Sequence, residues 1–164
     1  MRYTIFFLAA LFLNACSSLP EAVRGDFGTA PLPAVQASGA DWAGKTVRWG
    51  GAVVRIDNRA TETWVEIVAQ PLDSDARPAG PSEGRFFAVF PGFLDPAAYG
   101  AGRELTVVGR IEGAVEKSIG DFPYPFPIVR VERHYFWPPP RPEPRYWRDP
   151  WYDPWYPYIY PPWY

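Results

Sequence analysis

Cysteine and histidine each occur once in this 164-residue chain, as Cys16 and His134. A lone cysteine forms no intramolecular disulfide, and a zinc site built from cysteine and histidine has no set of ligands to draw on. An excess of positive charge is missing too. With 16 Lys+Arg against 18 Asp+Glu the net charge is −2, which excludes the basic footprint by which proteins hold nucleic acid. Long apolar runs are absent: the longest, Tyr3 to Leu13, stops well short of the roughly 20 residues that a spanning helix needs. Nor do Gly50-Gly51, Gly102 and Gly109 have the spacing of a phosphate loop; they suit bends and turns. No cofactor is expected.

What is present begins at the amino terminus. Arg2 precedes the apolar run and Asn14, Cys16, Ser17 and Ser18 end it, the composition of a signal peptide that is removed. Leu13-Asn14-Ala15-Cys16 resembles the lipobox of bacterial lipoprotein precursors: an aliphatic residue at the third position before the cut, a small residue at the cut, then cysteine. The resemblance implies cleavage between Ala15 and Cys16, a diacylglycerol on the Cys16 thiol, and acylation of the new amino terminus. The alternative is an ordinary secretory signal, which leaves an unpaired thiol in an oxidising compartment. The absence of a second cysteine favours the anchor. Several acyl chains, at about 0.8 kcal/mol per buried methylene, make such attachment effectively permanent. In the sorting pattern of enteric-type lipoproteins, aspartate after the cysteine favours the inner membrane, so Ser17 directs the expectation to outer-membrane lipid, with the domain facing the periplasm. Removal of the signal takes away Arg2 and no acid, leaving 15 Lys+Arg against 18 Asp+Glu, a net charge of −3.

The remainder divides into three zones. Residues 16–40 are expected to be the lipidated N-terminus and a tether with little fixed structure, because Ser17 to Ser38 is rich in Pro, Ala and Ser without periodicity. Residues 41–137 carry β-branched and aromatic runs broken by Gly, Pro, Asn and Asp, the pattern of one all-β domain. Five strands are predicted: Thr46 to Ile56, with a bulge or bend at Gly50-Gly51; Thr63 to Pro71, where Val65 and Glu66 disturb the alternation; Arg85 to Phe90; Glu104 to Glu112; and Ile128 to Trp137. Asp95-Pro96-Ala97-Ala98-Tyr99 reads as one helical turn, with Asp95 as its cap and Pro96 at the first helical position. Three strands, a short helix and two strands are the order of a small five-stranded OB-like barrel.

Residues 138–164 form a Pro/Trp/Tyr-rich tail, and ten of the chain's 21 prolines fall between Tyr135 and Tyr164. Proline at this density blocks helix and central strand, so the start of the tail reads as an extended polyproline-type spacer. Beyond it Asp149-Pro-Trp-Tyr is echoed by Asp153-Pro-Trp-Tyr. Trp147, Trp151, Tyr152, Trp155, Tyr156 and Trp163 each combine an apolar ring with a polar tip, a chemistry that suits membrane interfaces, envelope proteins or glycans. Inert disordered chains usually lack aromatics, so the tail is expected to make contacts.

Candidate chemistry elsewhere is sparse. His134 has no second histidine or cysteine to share a metal with, and Ser74, Ser82 and Ser118 sit in no nucleophile motif, so no catalytic residue and no metal site is predicted. Asp73, Asp75, Asp95 and Asp121 lie beside Pro, Gly or Ser, where aspartate makes local turn hydrogen bonds. Trp49 and Trp64 are read as core, with a ligand groove as the alternative, and Trp42 is left open.

Six groups of residues follow one another in order: Val47-Arg48-Trp49-Gly50-Gly51, Thr63 to Val68 with Gln70-Pro71-Leu72-Asp73, Gly84-Arg85-Phe86, Gly92 to Pro96, Gly102 to Gly109, and Ile119-Gly120-Asp121 with Tyr124-Pro125. Together they resemble the Slp family of starvation-inducible outer-membrane lipoproteins. The resemblance implies an outer-membrane lipoprotein associated with stationary phase and stress, with no agreed molecular activity and no catalytic residues to carry over. The expectation is a non-enzymatic envelope lipoprotein acting through its β domain and tail; the alternative is an OB-like module that binds a ligand or protein segment while tethered to the membrane.

Overall fold

The structure, a computed structural model, describes residues 19–27 and 30–139. Five strands dominate it: β1 Thr46–Asn58, β2 Glu62–Gln70, β3 Gly84–Pro91, β4 Glu104–Ile119 and β5 Phe122–Phe136. They close in the order β1-β2-β3-β5-β4, every pair antiparallel except β3 with β5. This is the five-stranded OB-like barrel expected from the sequence, with the short helix Pro96–Tyr99 between β3 and β4, its Asp95 side chain accepting from the Ala97 N–H at 2.9 Å.

Alternation builds the core. On β2, Thr63, Val65, Ile67 and Ala69 are buried in the barrel, and Glu62, Trp64, Glu66 and Val68 lie on its outer side. The apparent irregularity of this strand is therefore a regular period of two whose outer face is itself covered. Phe86, Ala88 and Phe90 from β3, Leu105, Val107 and Ile111 from β4, and Val129 and Val131 from β5 complete the interior. Each fully buried large side chain contributes about 1.5–3 kcal/mol through removal from water.

Closing so small a barrel needs sharp bends. Residues 46–52 of β1 pair with β4 while residues 50–58 pair with β2, so Gly50 and Gly51 lie where the strand serves both neighbours. A Cβ on Gly51 would strike the Val68 carbonyl oxygen, which makes glycine the residue that permits this approach. Of the bulge or bend expected at these glycines, no register shift falls there; the one in this pairing lies between Val53 and Arg55.

β4 and β5 run beyond their predicted limits, as a long hairpin pairing Gly113 with Ile128 and Ile119 with Phe122. Pro123, Pro125 and Pro127 hide this strand from sequence reading. Spaced by two, they share one edge, and this stretch pairs only with β4, so their missing N–H groups interrupt no ladder.

The expected tether is largely built structure. Leu32–Ala37 is a helix that puts Leu32 and Val35 into the barrel core, and Gly39–Trp42 is a second helical turn. Before them, residues 19–27 form a hook on the outside of β1, β4 and β5. Val23 is fully buried there with Ala76 and Val108, and Leu19, Phe27, Leu72 and Tyr135 pack around them. Arg48 donates to the Val23 and Gly25 carbonyls at 3.1 and 3.3 Å, and Arg133 donates to that of Arg24 at 3.3 Å.

Candidate functional site

The outer face of β2, β3 and β5 gathers the chain's densest set of rings and charges among the described residues. Trp64 meets Phe87 edge-on at 5.4 Å, Phe87 stacks on Phe126 at 4.7 Å, and Tyr124 meets Phe126 at 5.0 Å. Cations from the loop after β1 and from the end of β4 close over these rings. The Arg59 guanidinium lies 4.0 Å from the Trp64 centroid, and Lys117, on the β4–β5 hairpin, lies 4.7 Å from that of Phe87. Such contacts contribute about 0.5–1 kcal/mol each at exposed sites.

Carboxylates on the same face are matched to arginines. Glu66, only 6% exposed, accepts from Arg55 at 3.2 Å and from Arg85 at 2.6 Å. Glu62 accepts from the Trp64 indole at 2.6 Å and from Arg130 at 2.7 Å, and these hydrogen bonds hold its carboxyl below the usual range. Arg130 also grips Glu112 at 2.9 Å, and its two carboxylate partners raise its pKa further. With charges so compensated, the face is suited to stacking and hydrogen-bonded recognition of a partner.

Trp64 thus lies half-buried on the outer face, a correction to the expectation that it fills the core. Its place on β2 puts it opposite in phase to Val65 and Ile67. Trp49 packs on the core as expected, edge-on to Phe86 at 5.3 Å, with its indole donating to the Ala30 carbonyl at 2.9 Å. Trp42 also packs there, under Lys45. Beside Trp49 lies a cavity of about 340 Å³ lined chiefly by Phe27, Leu32, Trp49, Pro71 and Leu72, with Arg48 and Glu83 at its polar margin.

His134 lies near the end of β5, paired with Val107 of β4, its ring 5.1 Å from Phe90 and 5.6 Å from Phe136. Partial burial pushes its pKa below 6.5. A histidine that is harder to protonate when folded stabilises the fold above pH 6.5, and that contribution is lost as the pH falls from 6.5 through the folded value. Denaturant melts across this window should therefore show a decline in stability that the His134→Phe variant lacks; equal slopes would contradict the assignment. Among the described residues no three His, Cys, Asp or Glu side chains come together as a metal site. Asp73 accepts from the Asp75 and Arg77 N–H groups at 2.9 Å, the turn chemistry its neighbours predicted, and Ser82 bonds only to Gly84 nearby.

Ala15, Cys16, and the tail residues Trp147, Trp151, Tyr152, Trp155, Tyr156 and Trp163 lie outside the described residues. All of them fall inside a match of another kind. The family model of the outer membrane lipoprotein Slp family matches residues 13–164, from the lipobox to the last residue of the tail. The chain belongs to the Slp family of outer membrane lipoproteins. It is similar to the uncharacterized lipoprotein YeaY of Escherichia coli, 40% identical over 132 residues that cover 78% of this chain and 68% of the relative. It is also similar to the outer membrane protein Slp of the same organism, 33% identical over 133 residues covering 78% and 70%. An uncharacterized protein of Haemophilus influenzae is 29% identical over 141 residues, 83% of this chain. No solved structure matches significantly. As a member of the Slp family the chain is a lipid-anchored protein of the outer membrane. The fragments that carried the resemblance take structural places in this fold. Val47 to Gly51 is the stretch of β1 that pairs with β4, Thr63 to Val68 is the heart of β2, and Gly102 to Gly109 leads into β4.

Proposed function

We propose that this Slp-family protein is a non-enzymatic envelope component, fastened by acyl chains on Cys16, with its barrel in the periplasm and its aromatic tail making envelope contacts. Its contribution is to envelope structure and to adaptation in stationary phase and stress. The observation that carries this reading is the lipobox Leu13-Asn14-Ala15-Cys16 standing at the start of the family match. The experiment places the mature chain carrying Cys16→Ala behind an ordinary secretory signal, whose removal needs no lipidated cysteine. The expected outcome is that an alkaline wash releases the variant from outer membranes while the wild type stays bound; a variant that resists the wash as the wild type does sinks the anchor.

A second reading, an OB-like module that holds a ligand or protein segment, is favoured by the aromatic face around Trp64. In OB folds the face of strands two and three, with the loops after strands one and four, binds ligands; Trp64 and Phe87 lie on that face here, Arg59 follows β1, and Lys117 stands near the end of β4. That support is an analogy of fold.

A further inference from the structure

Arginines on the outside of this barrel fall into two groups. Arg55, Arg85, Arg110 and Arg130 each hold a carboxylate within 3.2 Å. Arg24, Arg48 and Arg133 hold none among the described residues, and each donates to a hook carbonyl instead: Arg24 to Leu19, Arg48 to Val23 and Gly25, Arg133 to Arg24. Register brings two of them together. Val108 of β4 pairs with Arg48 on one flank and with Arg133 on the other, and the Phe27 ring stands 5.4 Å from both guanidinium carbons. Glu21 and Asp26, the acids of the hook, are exposed and form no ion pair with these arginines.

This uncompensated charge adjoins the cavity of about 340 Å³ beside Trp49. Phe27 and Leu72 form the wall that the cavity shares with the hook cluster, Leu32 and Pro71 add further apolar surface, and Arg48 stands at the margin. Glu83 is at the margin too, on the side of β2, where its N–H donates to the Ala69 carbonyl at 2.9 Å. Size and lining decide what fits. A volume near the lower end of ligand pockets, about 300–1,000 Å³, suits one alkyl chain better than the pair carried by a membrane phospholipid. Apolar walls with a cation at the rim call for a chain that ends in an anion. On Arg48, Nη1 is taken by the two carbonyls, and Nε and Nη2 have no acceptor among the described residues. That edge of a guanidinium presents two parallel donors, the fork that matches a carboxylate.

We propose that this cavity binds a fatty acid, its alkyl chain against Phe27, Leu32, Trp49 and Leu72 and its carboxylate on the Nε–Nη2 edge of Arg48, with Arg133 adding positive potential from across Val108. The site is separate from the Trp64 face and does not depend on how Cys16 is modified. Membership of a family of lipid-anchored outer-membrane proteins sets it beside a bilayer, into which fatty acids partition.

The test uses the full mature chain carrying Cys16→Ala, which has no acyl group of its own, and measures displacement of a fluorescent fatty acid by laurate and by dodecanol, both monomeric. The expected result is saturable one-to-one uptake, with laurate held at least about tenfold more tightly than dodecanol, the scale of a charge-assisted hydrogen bond. Arg48→Gln should abolish that preference while binding dodecanol as before, whereas mere loosening of the hook would weaken both ligands alike. Leu72→Trp, which puts a larger ring into the cavity from a half-buried loop position, should weaken both at least about tenfold while the barrel melts as before; if it unfolds, the Arg48 comparison decides. Absence of saturable uptake, a laurate preference kept by Arg48→Gln, equal weakening of both ligands by that change, full affinity in a folded Leu72→Trp protein, or tighter binding of a lysophospholipid than of laurate would overturn the proposal.

Discussion

Gly51→Ala is expected to destabilise the barrel by at least about 3 kcal/mol, the upper end of what overpacking costs, and so to lower its urea midpoint sharply. The added methyl would point at the Val68 carbonyl, with Val68 carbon and the Ile67 side chain close behind it. None of these can retreat cheaply, because Ala52 and Val53 are paired with Val68 and Ile67 in the ladder between β1 and β2. Gly92→Ala is the informative contrast. That residue has φ 74° and open space within 4 Å of where its methyl would sit, so its cost is limited to the left-handed backbone, about 1–2 kcal/mol. Urea melts of the two variants, compared at constant slope, separate a blocked strand approach from simple backbone strain. Equal midpoints would contradict the assigned role of Gly51.

Phe86→Ala should cost about 3–5 kcal/mol, a large share of the roughly 5–15 kcal/mol that stabilises a typical domain. The ring is fully buried at the centre of β3 and carries the edge contact to Trp49. Trp49 is in turn fixed to the Ala30 carbonyl, which ties the N-terminal segment to the barrel. The loss of stability should therefore be accompanied by earlier proteolysis near residues 30–45, and Phe86→Leu should recover much of both. A loss under about 1 kcal/mol, the range of volume-conserving swaps, would show that the core closes over the gap.

These residues illustrate what could be read from the sequence. The strand order, the helical turn capped by Asp95 and the turn aspartate Asp73 rest on local chemistry, and each is visible in a window of a few residues. Glu66 and Trp64 were harder, because a polar residue buried on the outer face of a strand reads as broken alternation until Arg55 and Arg85 are known to lie beside it. The hook was hidden for a related reason. Val23 is one apolar residue in a Pro/Ala-rich stretch, and its burial depends on Ala76 and Val108, both far along the chain. The hairpin end at Phe122 to Pro127 carried prolines that argue against a strand unless one edge is unpaired.

The hook also changes the meaning of the anchor. Leu19, three residues after Cys16, packs in the hook cluster, so acyl chains on Cys16, as proposed, would hold the barrel close to the lipid. The most direct measurement is the intact mass of the protein extracted from outer membranes, alongside the Cys16→Ala variant. The expected result is a chain beginning at Cys16 that carries a diacylglycerol and an amide-linked acyl group, and no such mass in the variant. An unmodified Cys16, or a chain that still begins at Met1, would contradict the lipid anchor.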